Sequence, residues 1–401
     1  MPQINLPCST AKIRPEIELV LDCVGSSGAG PGCQERVAAL IGAGGIDWNF
    51  ALEFATRHGL MPLFHRRLPD CCPDHVPADV LDRLRVYGRR VSALNTYLFS
   101  ELVAIVRGLE SRGVPVVCWK GPTLAVEAYG SLQLRQFSDL DLIVRARDVP
   151  RATEILRARG FVLTPELSEA QQAMLLRTQC NLPFTRERQR VIVELHWGVA
   201  AKHFSRPFDA HNFWERLREI MINGEALKIL SREDLFLSLC VHGSKHMWER
   251  LSWVSDLSGL LNSEPELDWP LLIRSARQSG CERFVLLGVS LARRLFGTAL
   301  PKQIEEQLKL DPTIELLAVE IVERLTLSFN AKPRMPGLAA QLIFHLRARR
   351  RWQDKVRYLG FVFSPTDEDL HRFRLPKHLT FAYYALRPLR LFFNGGARHP
   401  H

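Results

Sequence analysis

The chain is short of several things whose absence narrows its class. No apolar run reaches the ~18 residues that a membrane-spanning helix requires. The start lacks a basic segment followed by an apolar stretch, so no secretory leader is expected. The cysteines number 9, an odd count, with no C-x-x-C pair and with Cys71 adjacent to Cys72, too close for an ordinary bridge. Reduced thiols and a cytoplasmic location are the expectation. No H-E-x-x-H motif marks a zinc helix, and no internal repeat marks a solenoid.

Acid is also in deficit. Lys and Arg total 53 against 43 Asp and Glu, a formal charge of +10, and the pI is about 9.3. That balance points to an anionic partner. Arginine's planar fork suits phosphate, so nucleotides, nucleic acid and acidic lipid headgroups all remain open. A solvated basic surface satisfies the same numbers. The rest is ordinary globular material: 46% hydrophobic and 24% charged residues in 401, enough for two or three domains and too apolar for a wholly disordered chain.

The first segment carries Ser26-Ser27-Gly28-Ala29-Gly30-Pro31-Gly32 and then Gly42, Gly44 and Gly45. Such a composition predicts a flexible lead-in over 1–45, with order beginning near Asp47. Apolar residues at helical spacing over 48–68 and 81–109 then define an N-terminal helical region, 46–112, which Gly113 closes. The pattern changes at 114–119, a short apolar run with β-branched residues that reads as a buried strand. A helix-like stretch follows at 124–129. Residues 139–144 alternate cleanly, the signature of a strand with two different faces. Asp148 caps a helix over 150–160, and strand candidates at 161–163 and 190–197 complete an α/β segment, 113–200. Beyond it the text is helical again, with a capping-box-like start at Ser231-Arg232-Glu233-Asp234, so 201–401 reads as a larger helical domain. The expected class is α+β, a small mixed sheet between two helical regions.

The chemistry concentrates in Trp119-Lys120-Gly121, Arg135, Asp139, Asp141 and Glu194. Two aspartates at i and i+2 on a strand project side by side, and a third acid on a neighbouring strand closes the cluster. Carboxylates held this close raise one another's pKa unless cations neutralise them. Oxygen ligands select Mg²⁺ or Mn²⁺, and carboxylates around such ions are the usual means of clamping an in-line phosphoryl displacement. Lys120 and Arg135 would then hold a nucleotide's phosphates. Gly121 would let the backbone N–H groups of the following helix approach them. The bland alternatives are a solvated strand edge and surface charges, with Arg135 orienting a site aspartate.

These residues resemble a family. The order strand, glycine, helix, Asp-x-Asp strand, helix, strand with a third acid resembles the nucleotidyltransferase fold shared with polymerase-β-type enzymes. More narrowly, Trp119-Lys120-Gly121, Tyr129, Arg135-(x)3-Asp139-x-Asp141 and Glu194-Leu195-His196-Trp197 are similar to a bacterial group of uncharacterised nucleotidyltransferases. The likeness extends to His58-Gly59-Leu60, His242-Gly243 with His246, Leu251-Ser252-Trp253 with Asp256, and Arg387-Pro388, about 340 residues in all. It implies that Asp139, Asp141 and Glu194 bind metal and that nucleotide phosphates lie near Gly121. One departure is that the wider superfamily carries Gly-Ser or Gly-Gly where this chain has Lys120-Gly121.

A second cluster is His242, Lys245 and His246 on a helix, with Trp253 and Asp256 after it. His242, His246 and Trp253 fall on one stripe beside an apolar stripe, so they either brace an interface or contribute to acceptor or base recognition. Zinc is disfavoured, because Gly243 stands where a general-base glutamate would be. With His196 these make the accessory candidates. Near the end, 347–352 and 381–393 interleave arginines with aromatics. That pattern fits a terminal helix packing its apolar face while arginines snorkel, or a surface for bases or acidic lipid.

The expectation is therefore a metal-dependent nucleotidyltransferase using Mg²⁺ or Mn²⁺ and a nucleoside triphosphate, ATP first, to modify an acceptor hydroxyl with loss of pyrophosphate. The competing readings are a nucleotide-binding protein without turnover and a basic module for nucleic acid or an anionic membrane surface.

Overall fold

The computed structural model describes residues 13–25, 31–71, 75–164, 167–187, 190–201, 204–205, 213–263, 266–327, 337–372, 375 and 381–393. Pro15 opens helix α1, Pro15–Val24, whose Ile17, Leu19, Val20 and Cys23 have no exposed surface. Helix α2, Pro31–Gly42, follows. Within the expected lead-in, 1–45, two helices stand at 15–24 and 31–42, and 1–12 and 26–30 lie outside the described residues. The glycines dominated the composition, whereas α1 is held by tertiary burial, which sustains a short helix that propensity alone would not. Helices α3, Trp48–Arg57, and α4, Met61–Cys71, come next. The Asp47 carboxylate accepts the Phe50 N–H at 3.0 Å and caps α3.

Helix α5, Ala78–Glu110, is 33 residues long. Its Val80 and Leu84 pack in a helical core, while Leu98, Leu102, Ile105 and Leu109 pack against the sheet. Strand β1, Val116–Trp119, leads into α6, Gly121–Tyr129, and then β2, Asp139–Val144. Helix α7, Val149–Ala158, β3, Val162–Leu163, α8, Glu169–Thr178, β4, Asn181–Arg186, and β5, Val191–His196, complete the expected α/β segment.

The sheet does not end there. Strands β6, Arg218–Ile222, and β7, Glu225–Ile229, form a hairpin that extends the sheet past residue 200, giving the order β3-β4-β5-β2-β1-β7-β6. Its turn is Asn223-Gly224, both at positive φ (50° and 83°), as a two-residue hairpin of this hand requires. β2 runs antiparallel to β1 and parallel to β5, so the sheet is mixed.

Helices α9, Arg232–Lys245, α10, Leu251–Asn262, α11, Trp269–Gln278, α12, Glu282–Phe296, α13, Lys302–Lys309, and α14, Pro312–Leu327, build the C-terminal layer. Phe54 and Phe64 share one core with Phe236, Leu257 and Phe284, so the helical regions before and after the sheet form a common body. The close approach is visible at Gly59, φ +70°, where an added Cβ would meet Ser252 Oγ at 3.0 Å. The helical text gives way to strand after 113, whereas 201 falls within the sheet-forming stretch, since β6 and β7 follow it.

The chain closes with α15, Leu338–Arg347, α16, Trp352–Phe363, α17, Asp367–Arg372, and α18, Tyr383–Phe393. In α18 the expected snorkelling is reversed. Arg387 and Arg390 are buried, with Arg390 Nε 2.6 Å from Asp369 Oδ1, while Leu389 is 52% exposed. The buried carboxylate of Asp369 is the physical reason, since it takes the cations inward. Among the described residues no helix is long and apolar enough to cross a membrane.

Candidate active site

The turn from β1 into α6 sets the floor of the site. Lys120 and Gly121 both take positive φ, 57° and 45°. Glycine adopts that conformation freely, but Lys120 pays a strain cost. The turn is held by the Lys120 carbonyl, which accepts from Thr123 Oγ1 at 2.9 Å and from the Leu124 N–H at 3.1 Å. As a result the Lys120 ammonium lies 3.8 Å over the Trp119 ring, 3.7 Å from Asp141 Oδ1 and 3.3 Å from His242 Nδ1. Trp119 is itself fixed by its indole N–H, which donates to Ser238 Oγ at 2.9 Å.

Strand register brings the acids together. Asp141 is the direct partner of Trp119 on β1 and of Glu194 on β5, and Asp139 pairs with Ile192. Side chains two apart share a face, so Asp139, Asp141, Glu194 and His196 project from the same side of the sheet. His196 Nε2 lies 2.9 Å from Asp141 Oδ1 and 3.1 Å from Glu194 Oε2. Asn181 on β4 donates to Glu194 Oε2 at 3.2 Å. Donor atoms of Asp141, Glu194 and His196 lie within 4.8 Å of one another. Asp139 stands outside that trio, one strand pair away, and the His196 imidazole lies between the other two carboxylates. Its long ring reaches back to them from the neighbouring pair.

The electrostatics follow from this crowding. Burial and the charges of Asp141 and Glu194 push the Asp139 carboxyl up to about 6, against the pull of Lys120 and Arg135. Burial also opposes charge on Glu194, but the His196 hydrogen bond and charge outweigh it and hold Glu194 down to about 2. His196 loses to burial yet gains more from Asp141, Cys180 and Glu194, and its imidazole sits well above its usual range. His242, buried beside Lys120 and near His246, Lys245 and Arg135, is driven well below its own. A neutral His242 therefore accepts a hydrogen bond from the Lys120 ammonium.

This corner offers a divalent ion the carboxylates of Asp141 and Glu194, with Asp139 beside them. The raised His196 carries a proton on the Nε2 between the two acids and would have to release it to become a third ligand. Arg135 takes a position between the two expected ones. Its Nε donates to both oxygens of Asp256 at 3.0 and 3.1 Å, and Tyr129 OH lies 2.9 Å from the same carboxylate. Among the described residues no hydrogen bond engages its two terminal amino groups, and its charge acts on Asp139. Asp256 is thus a fixing group for Arg135. Lys245 makes no ion pair among the described residues, and its charge is felt by Glu194 and His242.

The rings of His242, His246 and Trp253 meet in tilted and edge-to-face contacts, with centroids 4.8, 5.0 and 5.5 Å apart. They form a wall against Lys120, and no metal-holding group among the described residues includes them. Sequence reasoning missed Asn181 and Ser238, neither of which belongs to a motif. They are found only through the pairing of β4 with β5 and the docking of α9 on β1.

The family described as uncharacterised nucleotidyltransferase matches residues 44–297. No protein with a curated description matches the chain. Among solved structures, the antibiotic-resistance factor ANT(2'')-Ia is 13% identical, with 58% of this chain and 94% of that one covered and a TM-score of 0.28. An antigenic nucleotidyltransferase-like protein from Paracoccidioides brasiliensis is 14% identical, with 52% and 96% covered and a TM-score of 0.32. Likenesses this loose carry no further argument.

Proposed function

The chain belongs to the family of uncharacterised nucleotidyltransferases, and from that premise we propose that it transfers a nucleoside monophosphate from a nucleoside triphosphate, ATP by preference, to a hydroxyl of an acceptor. Asp141 and Glu194, with Asp139 beside them, would hold Mg²⁺ or Mn²⁺, and pyrophosphate would leave. The observation that carries this reading is the direct strand pairing of Asp141 with Glu194, beneath cations from three separate elements, Lys120, Arg135 and Lys245. A bound divalent ion supplies charge neutralisation and a lower pKa for the acceptor hydroxyl.

The chain's own groups do the remainder. Lys120 and the terminal amino groups of Arg135 meet the charge that gathers on the phosphates as the bond to the bridging oxygen breaks and the new bond to the acceptor oxygen forms. His242 and Trp119 aim the Lys120 ammonium, and Asp256 aims Arg135 through its Nε. The Gly121 turn lets backbone N–H groups approach an anion without a Cβ in the way. Trp119, Trp253 and the histidine rings beside them would limit water at the reacting groups.

The test is pyrophosphate release from each of the four nucleoside triphosphates with Mg²⁺ or Mn²⁺, in the presence of hydroxyl-bearing small molecules and of host lysate. Release that requires the divalent ion and disappears in Asp141→Asn supports the reading. Full release in Asp141→Asn or in chelator removes it.

A further inference from the structure

Helix α16 turns an apolar row outward. At about 100° per residue, Trp352, Val356, Leu359 and Phe363 fall within about 60° of one another around the helix. They are 70%, 57%, 41% and 50% exposed. The opposite face carries Asp354 and Tyr358, which are buried, so α16 already has a packing face and the outward row is additional to it. Exposed apolar residues scattered singly are ordinary, but four in one row are not. The neighbouring α18 repeats the inversion, with Tyr384 and Leu389 outward and Arg387 and Arg390 inward.

Charge selects the partner. Over 337–363 Arg349 is buried and Arg347 is paired with Glu320, which leaves Arg350, Arg351 and Lys355 outward near the row, Arg350 also 3.5 Å from Glu282; the single acid of the stretch, Asp354, is buried. Lys355 falls beside the row by the same helical arithmetic, and Arg350 and Arg351 stand at its tryptophan end. We propose that this face of α16 lies in the headgroup region of an anionic phospholipid bilayer. Trp352, Val356, Leu359 and Phe363 enter the acyl boundary, and Arg350, Arg351 and Lys355 meet lipid phosphates.

A second copy of the chain fits less well, because its like-charged flanks would face these. Nucleic acid fits less well too, because Val356 and Leu359 at the middle of the row offer no ring for a base to stack on. With 12 residues and a length of about 18 Å, the helix lies on the bilayer and does not span its ~30 Å core.

The test is flotation of the full chain with vesicles of phosphatidylcholine alone and of phosphatidylcholine with phosphatidylglycerol. Binding to the anionic vesicles, weakened by salt and absent from the neutral ones, is expected. Trp352→Ser with Leu359→Ser changes two solvated side chains and leaves melting temperature and sheet signal in place, while lowering the bound fraction about tenfold. No flotation with anionic vesicles at low salt overturns the proposal, as does undiminished flotation of the double variant. Sedimentation velocity showing a dimer that the same variant dissociates would assign the face to a second copy and overturn it as well. Pyrophosphate release in solution is unchanged by the double variant, so the outcome is independent of the transferase reading.

Discussion

Arg135 and Asp256, 121 positions apart, meet in the interior, where Nε of the arginine donates to both carboxylate oxygens at 3.0 and 3.1 Å. Asp256 is 1% exposed. The pair fastens helix α10 to the loop before β2 and so ties the helical body to the acid-bearing strand.

Removing one partner of a buried pair leaves the other charge uncompensated, which costs more than the pair itself contributes. Asp256→Asn is expected to lower stability by about 3 kcal/mol, read by urea unfolding at neutral pH. It should also weaken triphosphate binding, because Arg135 loses the group that aims it. Unchanged stability would show that the pair is not formed in solution.

Asp141→Asn tests the corner of the site directly. It is expected to abolish divalent-dependent pyrophosphate release while far-UV circular dichroism and cooperative melting persist, since Asn is isosteric and the adjacent strand register is backbone-made. Asp139→Asn is expected to reduce release less severely than Asp141→Asn, because Asp139 stands outside the converging trio. Equal loss in both would place Asp139 among the essential ligands.

Gly59→Ala tests the joint between the helical regions. The position has φ +70°, and the new methyl would lie 3.0 Å from Ser252 Oγ. A loss of about 1–3 kcal/mol is expected, part from backbone strain and part from crowding. Pairing it with Ser252→Ala removes the Oγ contact but leaves Ser252 Cβ 3.2 Å from the methyl, so a double-mutant cycle should recover only part of the loss, and full recovery would argue against strain.

His58 sets a pH dependence. Burial, then the charges of Arg57 and Arg250, push its imidazole down to about 3. Folded, it stays neutral, whereas the unfolded chain takes up a proton near its ordinary value of about 6.5. Stability therefore falls as pH drops from about 6.5 toward 3, by up to ~1.4 kcal/mol per pH unit from this group. In His58→Gln the decline between pH 7 and 5, measured by urea unfolding, should be shallower. An identical slope would show that His58 titrates normally in the folded state.

Much of the architecture was legible because its signals are local. Alternation over 139–144 is strand β2, the apolar spacing over 81–109 is most of α5, and the break at Gly113 separates helix from sheet. The Asn223-Gly224 turn between short apolar runs was an equally local hairpin signal, and overlooking it placed the sheet's end too early. Helix α1 was hidden for a different reason: glycines nearby outweighed ten residues whose order comes from burial.

The chain's residue order by itself determined the α+β class, the acid-bearing faces of β2 and β5 and the Lys120-Gly121 turn, since side-chain period and backbone preference act within a few residues. Only the tertiary structure decided that His196 and not Asp139 completes the trio with Asp141 and Glu194. It also decided that Asp256 holds Arg135 and that α18 hides its arginines. Those outcomes depend on strand register, on side-chain reach across neighbouring elements and on which buried carboxylate neutralises which cation. These are relations between residues far apart in the chain, and no local pattern encodes them.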